Sequence, residues 1–441
     1  MKKKIKNSAY IIFTRIPESG KTKTRLMPYY SGDECKIFHE KLLMDLCEKT
    51  KSDEYDIITF YSGDDLDYLK ELLSISKDFF PQKGITIAEK MKNAIKETLD
   101  MGYKRIVLTG SDIPDIDYDI IADAFNKLQN NSIVFGPSND GGYYLVGVND
   151  DRDLDAIFDE DNYKNDNVLK NIENKIQKEI KYTKVLRDID TKDDILAYYT
   201  NNLDKNSHAI NYIWSKLKIS VIVPIYNEEK KANRLIQELK KFKNSEIILV
   251  DGESTDNSYE ILSKDFNVIR TKKGRSNQLN SGAKHASGDI LFFLHADSLL
   301  PPDPEREIKE VIKKNLVGIF GIKFDRELFM LKVCEIRSMQ RVKYTKIMFG
   351  DQGIFIFKNL FNEVGGFPDI PIMEDYQFSL ELRKKKIDIG ITKNRIITSA
   401  RRFGKTNMSV FKMNLKMYNL RRLYRKGVDA KEILKSYRDE R

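Results

Sequence analysis

Two stretches of the 441-residue chain end short apolar runs in acids followed by polar turns, the pattern that delivers carboxylates to a ligand at the edge of a parallel sheet. In the second half, residues 219–223 run into Pro224-Ile225-Tyr226-Asn227-Glu228, and residues 246–250 into Asp251-Gly252-Glu253-Ser254-Thr255-Asp256. Pro224, Tyr226, Asn227, Glu228 and Asp251 are thus candidate nucleotide contacts in one crevice, although Asp251 alone would serve equally as a helix cap. Residues 290–294 lead to His295-Ala296-Asp297. Asp297 could hold a divalent cation, Mg or Mn, against a diphosphate, because such ions take oxygen ligands and neutralise a departing phosphate. His295 reads as a packed or hydrogen-bonded residue, since one His beside one Asp is not a metal set. Glu374 and Asp375 open a helix carrying Phe378 and Leu382 at i, i+4. Adjacent acids there supply a general base for an attacking hydroxyl, or simply a charge pair favoured by the helix dipole. Arg275 is either a phosphate contact or an exposed turn arginine.

In the first half, the apolar run 9–14 precedes a turn holding Gly20, Lys21, Lys23 and Arg25, a composition suited to cradling a diphosphate or triphosphate. Its glycine spacing is not that of a Walker A loop. Asp112 closes the run 105–109, and Asp190 follows residues 182–186, so the two could share one Mg ion. Between them, Gly141 and Gly142 beside Asp140 allow close backbone approach to a ligand, and Tyr143 and Tyr144 offer stacking faces; Asp-Gly is equally a hairpin signal.

Both halves repeat a short apolar strand, a polar turn and an amphipathic helix, which predicts α/β architecture with mainly parallel sheets. Cys35, Phe38, Leu42 and Leu46 mark one such helix, and Met91, Ile95 and Leu99 another. The expected division is a domain over 1–203, a linker over 204–217 and a domain over 218–441 that includes a basic helical tail. Cys35, Cys47 and Cys334 match no disulfide or metal spacing and suit packing in a reducing cytosol. No run approaches a membrane span, and residues 1–6, though basic, lead into an apolar stretch too short for a signal peptide. A cytoplasmic protein, possible at the inner membrane face as a peripheral one, is the expectation.

The net charge of +9 is local. Residues 393–441 hold 15 Lys and Arg against 4 Asp and Glu, a net of +11, so the other 392 residues carry −2. No nucleic-acid-reading motif accompanies this charge, which excludes the obvious partner of a basic protein. The tail instead shows Phe411, Leu415, Tyr418, Leu420, Leu423 and Tyr424 among cations, an amphipathic helix that either closes the domain with its apolar face inward or contacts an anionic membrane.

The ordered set Pro-Ile-Tyr-Asn-Glu, Val-Asp-Gly-Glu-Ser-Thr-Asp, His295-Ala296-Asp297 and Glu374-Asp375 resembles family 2 glycosyltransferases of the GT-A fold. With Gly274-Arg275-Ser276-Asn277-Gln278, Gly350-Asp351-Gln352-Gly353 and Gly365-Gly366-Phe367-Pro368, residues 218–440 resemble more narrowly the type 2 radical-SAM/selenodomain-associated transferases. The resemblance implies that Asp251 recognises the base, Asp297 binds the metal and Asp375 is the base of an inverting transfer; His295 stands where an Asp is usual. Lys-Thr-Lys-Thr-Arg-Leu, Gly-Ser-Asp-Ile-Pro, Gly-Pro-Ser-Asn-Asp-Gly-Gly-Tyr-Tyr-Leu and Asp-Ile-Asp-Thr, within residues 8–200, resemble the type 1 partner, which is similar in fold to nucleotidyltransferases of molybdenum-cofactor and deazaflavin-cofactor synthesis. This implies phosphate contacts from Lys21, Lys23 and Arg25 and metal contacts from Asp112 and Asp190; the Gly-rich opening of standard nucleotidyltransferases is absent. The expected protein is a bifunctional transferase of two tandem GT-A-like domains. Its C-terminal domain takes a nucleotide sugar and an unidentified acceptor, and its N-terminal domain uses an NTP or transfers a glycosyl group. The alternative is that one domain is a catalytically silent binding module.

Overall fold

The structure, a computed structural model, describes residues 6–176 and 178–438, so most of the basic start at 1–6 and the end of the tail lie outside the described residues. The chain forms two compact units, Met1–Ser215 and Lys216–Arg441. The first holds β1 (Ser8–Arg15), β2 (Asp56–Ser62), β3 (Asp78–Pro81), β4 (Arg105–Gly110), β5 (Ile133–Pro137), β6 (Tyr143–Val148) and β7 (Ile180–Tyr182), in the order β3-β2-β1-β4-β6-β5-β7. The second holds β8 (Ile219–Ile225), β9 (Glu246–Asp251), β10 (Asn267–Arg270), β11 (Ile290–Phe293), β12 (Val317–Phe324), β13 (Ile354–Phe357) and β14 (Ile389–Thr398), in the order β10-β9-β8-β11-β13-β12-β14. The two sheets have the same topology. In each, one strand, β6 or β13, runs antiparallel to its neighbours and the other pairings are parallel.

Helices cover both faces of such a sheet, which is why its strands read as unbroken apolar runs. Along β1, the two-residue period sends Tyr10 and Ile12 to one buried cluster and Ala9, Ile11 and Phe13 to the other. The strand order reverses between β1 and β4, and again between β8 and β11. A crevice opens at their carboxyl ends, and the polar turns lie there.

The stretch expected as a linker is largely ordered. Residues His208–Lys216 form a helix on the first unit, with Ala209, Ile210 and Ile213 buried and Tyr212 stacked on Phe38. Its start is capped from another helix, because the buried Asp45 accepts the N–H groups of His208 and Ala209 at 2.7 and 3.0 Å. The expected strand at 182–186 lies instead at Ile180–Tyr182, with Leu186 only bridging Ser138.

Candidate functional site

In the second unit, β8 and β9 end side by side, Ile225 opposite Asp251. Gln278, on the helix Arg275–His285, donates its amide to the Ile225 and Val250 carbonyls at 2.8 Å each and holds the two strand ends together. The turns after them interlock. Asn227 and Glu228 donate their N–H groups to the Ser254 and Ser258 hydroxyls, and Asn227 Oδ1 accepts from Thr255 N. Asp251 is fully buried; its Oδ2 accepts from Ser254 N at 3.2 Å and lies 3.8 Å from Arg270 Nε, while among the described residues Oδ1 has no hydrogen-bond partner. A buried carboxylate oxygen left bare is costly unless a ligand donor meets it. Tyr226 stays exposed beneath the Lys273 ammonium, 3.7 Å from its ring centre.

The same helix reaches the acids. Arg275 Nη1 stands 3.7 Å from Glu374 Oε1, and Ser276 donates to the Ile370 carbonyl. Glu374 is buried, and burial followed by the Asp375 charge pushes its carboxyl up to about 7. Asp375 is half-buried and reachable; its Oδ2 accepts from Gly350 N at 2.8 Å. A side chain at Gly350 would press on His295 Nε2, with a Cβ only 2.8 Å away, so glycine lets the imidazole approach this edge. Burial holds His295 well below the usual imidazole range and raises the Asp351 carboxyl, with the neighbouring Arg341 opposing the latter shift. Asp351 stands within the Gly350-Asp351-Gln352-Gly353 motif, which by itself assigns it no role. Its signal was adjacency to Gly350. Phe293, Phe361, Phe367 and Phe378 pack behind the acids as an aromatic wedge.

Asp297 follows β11, half-buried, and among the described residues its carboxylate takes no hydrogen bond or ion pair. An unpartnered carboxylate at the nucleotide edge suits a hard divalent cation in kind. Asp297 would be the residue to hold one.

In the first unit most of the predicted residues, Gly20 and Gly141 excepted, line one cavity of about 540 Å³, a size suited to a small ligand, among them Lys21, Arg25, Asp112, Asp140, Gly142 and Asp190. Lys23 lines this cavity as well. Its side chain is nearly buried and its ammonium is engaged by Asp112 at 3.0 Å and the Ile189 carbonyl at 2.7 Å, because a buried cation needs its counter-charge. Lys21 is exposed and pairs with Glu18, and Arg25 with Asp190. Gly20 is left-handed, with open space where a Cβ would stand. Asp112 and Asp190 are therefore each tied to a cation of the loop; Asp188 lies with them, its carboxyl raised by burial and then by Asp190. Asp112, Asp140, Asp188 and Asp190 offer the oxygen donors a hard cation takes, although no three converge: among the described residues, the group of three candidate ligands within 4.8 Å is Asp45, Glu48 and His208, at the helix cap.

The Asp140–Gly142 turn joins the antiparallel β5 and β6, and Asp140 and Gly142 line the cavity. Gly141 has φ +87°, and a Cβ there would meet the Asp166 carbonyl at 2.2 Å. Both tyrosines line the cavity, with their hydroxyls engaged elsewhere. Tyr143 packs edge-on against Phe135 with its hydroxyl on Tyr163, and the buried Tyr144 bonds Thr183 and the Lys184 carbonyl.

Sequence reasoning missed His39. It is buried, with Nδ1 2.6 Å from the Thr22 hydroxyl and Nε2 3.1 Å from that of Ser111, tying its helix to the cationic loop and to the end of β4. Burial drives its pKa down to about 4, so the folded protein keeps it neutral while the unfolded chain takes up a proton below about 6.5. Stability supplied above that pH is lost as pH falls toward 4, on the order of 3 kcal/mol. We expect His39→Gln to flatten the acid limb of the thermal midpoint measured from pH 7 to 4.5. An unchanged slope would assign the acid sensitivity to other groups.

Residues 220–365, within the second unit, match the family model for glycosyl transferase family 2. Residues 46–164 match the model described as an uncharacterized protein conserved in bacteria (DUF2064). A protein of Haemophilus influenzae described as an uncharacterized glycosyltransferase is 28% identical over 205 residues, 43% of this chain and 81% of that protein. The undecaprenyl-phosphate 4-deoxy-4-formamido-L-arabinose transferase of Yersinia pestis is 26% identical over 155 residues, 32% of this chain; the match spans only 47% of that relative's length. Among solved structures, a proposed nucleotide-diphospho-sugar transferase from Desulfovibrio desulfuricans is 29% identical with a TM-score of 0.45, covering 48% of this chain and 95% of that one. A mannosyltransferase of Pyrobaculum calidifontis, solved with GDP-Man and Mn2+, is 18% identical with a TM-score of 0.37, covering 53% and 71%. The fold is that of two α/β, GT-A-like units with mostly parallel seven-stranded sheets.

Proposed function

We propose that the second unit transfers a sugar from a nucleotide sugar, UDP-linked, to an acceptor hydroxyl with inversion. The observation that carries the reading is the bare, buried Oδ1 of Asp251 at the joined ends of β8 and β9, on the same helix-linked crevice as Asp375. A uracil ring N–H would satisfy that oxygen, Tyr226 would flank the base, and Arg275 would meet the diphosphate. Asp375 takes the acceptor proton, and Gly350 N–H fixes its carboxylate for that step. A divalent cation on Asp297 would supply charge compensation to the leaving diphosphate. Positioning and charge compensation carry most of the rate.

For the first unit we propose a metal-dependent nucleotide-binding transferase, acting on an NTP and a sugar phosphate or transferring a glycosyl group. The cavity with its cationic loop and four Asp residues supports this reading. The pairing of type 1 and type 2 radical-SAM/selenodomain-associated transferases in one bifunctional chain, its division at about 203 and 218, and its cytoplasmic placement belong to the same proposal. The ion pairs Lys23–Asp112 and Arg25–Asp190 favour one second reading, that the first unit is a silent nucleotide-binding module.

The deciding experiment incubates the protein with NTPs, sugar phosphates and nucleotide sugars with Mg or Mn, read by mass spectrometry, beside Asp112→Asn and Asp297→Asn. Asp297→Asn is expected to lower sugar-nucleotide turnover at least tenfold while sparing pyrophosphate release from NTP, and Asp112→Asn the reverse. If neither variant changes either product, the metal assignments fail; if only Asp297→Asn matters and no NTP is consumed, the first unit is the silent module.

A further inference from the structure

The tail helix was expected either to turn its apolar face inward or to offer it to a membrane. The structure divides that face. Val410 and Leu420 of the helix Asn407–Arg425 are buried, and Leu420 joins Met373, Tyr376 and Ile433 beneath the helix that carries the acids. Met408, Phe411, Leu415 and Tyr418 are instead 63%, 52%, 50% and 52% exposed. Their spacing of three, four and three residues places them in one stripe along the outer side of the helix.

A second helix, absent from the sequence reading, lies beside it. Asn414 of the tail donates to the Cys334 sulfur at 3.0 Å, and Asn407 Oδ1 accepts from Met330 N at 3.1 Å, joining the tail to the helix Phe329–Thr345. This neighbour exposes Phe329 at 71%, Ile336 at 56% and Tyr344 at 74%. Seven large apolar side chains on two adjoining helices are thus left in water. Such clusters on soluble proteins mark interaction surfaces.

Charge selects the occupant. Residues 401–426 contain nine Lys and Arg and no acid. On the neighbouring helix, the exposed charges Lys332, Arg337 and Lys343 are all positive, while the one acid, Glu335, is buried and paired with Arg395. A second copy of the chain would bring these cations against their own kind. An anionic bilayer supplies both apolar depth for the stripe and phosphate charge for its flanks.

We propose that the outer faces of the helices Phe329–Thr345 and Asn407–Arg425 form a composite docking surface for an anionic lipid bilayer. The inner sides of the same helices serve the candidate site, since Arg341 and Arg421 both stand over the Phe349 ring, next to Gly350. Docking through these helices would hold the candidate site close to the bilayer, within reach of an acceptor carried by lipid. That corollary rests on the transferase reading; the docking itself does not.

The test is co-sedimentation of the full chain, without nucleotide, with vesicles of 30% phosphatidylglycerol in phosphatidylcholine and with phosphatidylcholine alone. We expect binding to the anionic vesicles at least tenfold tighter than to the neutral ones, and weakened in 0.5 M NaCl as the screening length shrinks. Phe411→Ser with Leu415→Ser should reduce binding at least tenfold with an unchanged thermal midpoint, because both side chains are exposed, and Phe329→Ser with Ile336→Ser should act in the same direction. Equal binding of wild type and both double variants would overturn the proposal. So would a concentration-dependent dimer in sedimentation velocity that the Phe411/Leu415 variant abolishes, which would assign the stripe to a second copy. Loss of sugar transfer in solution with intact vesicle binding would refute the transferase reading and leave the surface standing.

Discussion

Replacing Asp375 by Asn should lower kcat for sugar transfer by roughly 10²–10⁴-fold, the usual loss when a positioned general base is removed. The substitution keeps the shape of the side chain and an oxygen able to accept from Gly350 N, so nucleotide binding and the thermal midpoint should change little. The expected signature is a fall in kcat with a KM for the nucleotide sugar within a few-fold of wild type. Three acids compete for the role, and the structure separates them. Glu374 is buried and holds its proton up to about pH 7, so Glu374→Gln, which mimics that protonated state, should retain most activity below pH 7. Asp351 is also raised by burial. Asp375, half-buried as Asp351 is, is the acid whose carboxylate accepts from Gly350 N beside His295. A kcat loss below tenfold in Asp375→Asn, with a large loss in Asp351→Asn, would move the base to Asp351.

The second large effect is expected at Asp251. A charge-assisted hydrogen bond from a buried carboxylate to a base N–H contributes on the order of 1.5–3 kcal/mol, which corresponds to about 10- to 100-fold in dissociation constant. Asp251→Asn replaces the acceptor or turns a donor toward the base, and titration calorimetry with UDP should show a loss in that range. Because Gln278, not Asp251, holds β8 against β9, the fold should survive. A nucleotide without an N–H at the corresponding edge should bind wild type and variant alike. If UDP also binds both equally, the bare oxygen serves something other than a base.

The division between what could be read and what could not follows from the range of the interactions. Strands β1, β2, β4, β8, β9 and β11 were legible because burial on both faces imprints a continuous apolar run. Strands β3, β12, β13 and β14 were not singled out, and β6 was read only as a possible hairpin arm, although β13 is as fully buried as β1. The turns carrying Asp251, Asp297 and Asp375 were recognisable because strand, turn and helix are contiguous, and chemistry at a strand's carboxyl end needs no distant partner to be suspected.

Partnership was decided only in three dimensions. Lys23 looked like the phosphate lysine of its loop until Asp112 and the Ile189 carbonyl, both far along the chain, claimed its ammonium. The sequence offered Tyr143 and Tyr144 as stacking faces but could not show that Tyr163 and Thr183 take their hydroxyls. His39 carried no signal, since a lone histidine on an apolar helix face becomes significant only when Thr22 and Ser111 fold against it. For the tail, helical spacing defined an apolar stripe but could not say what lies over it, because burial depends on neighbours that periodicity does not contain. By itself the sequence determined two α/β halves, the acids at their strand ends and a basic tail; the tertiary structure decided which charges are spent inside the fold, and which apolar faces remain for a partner.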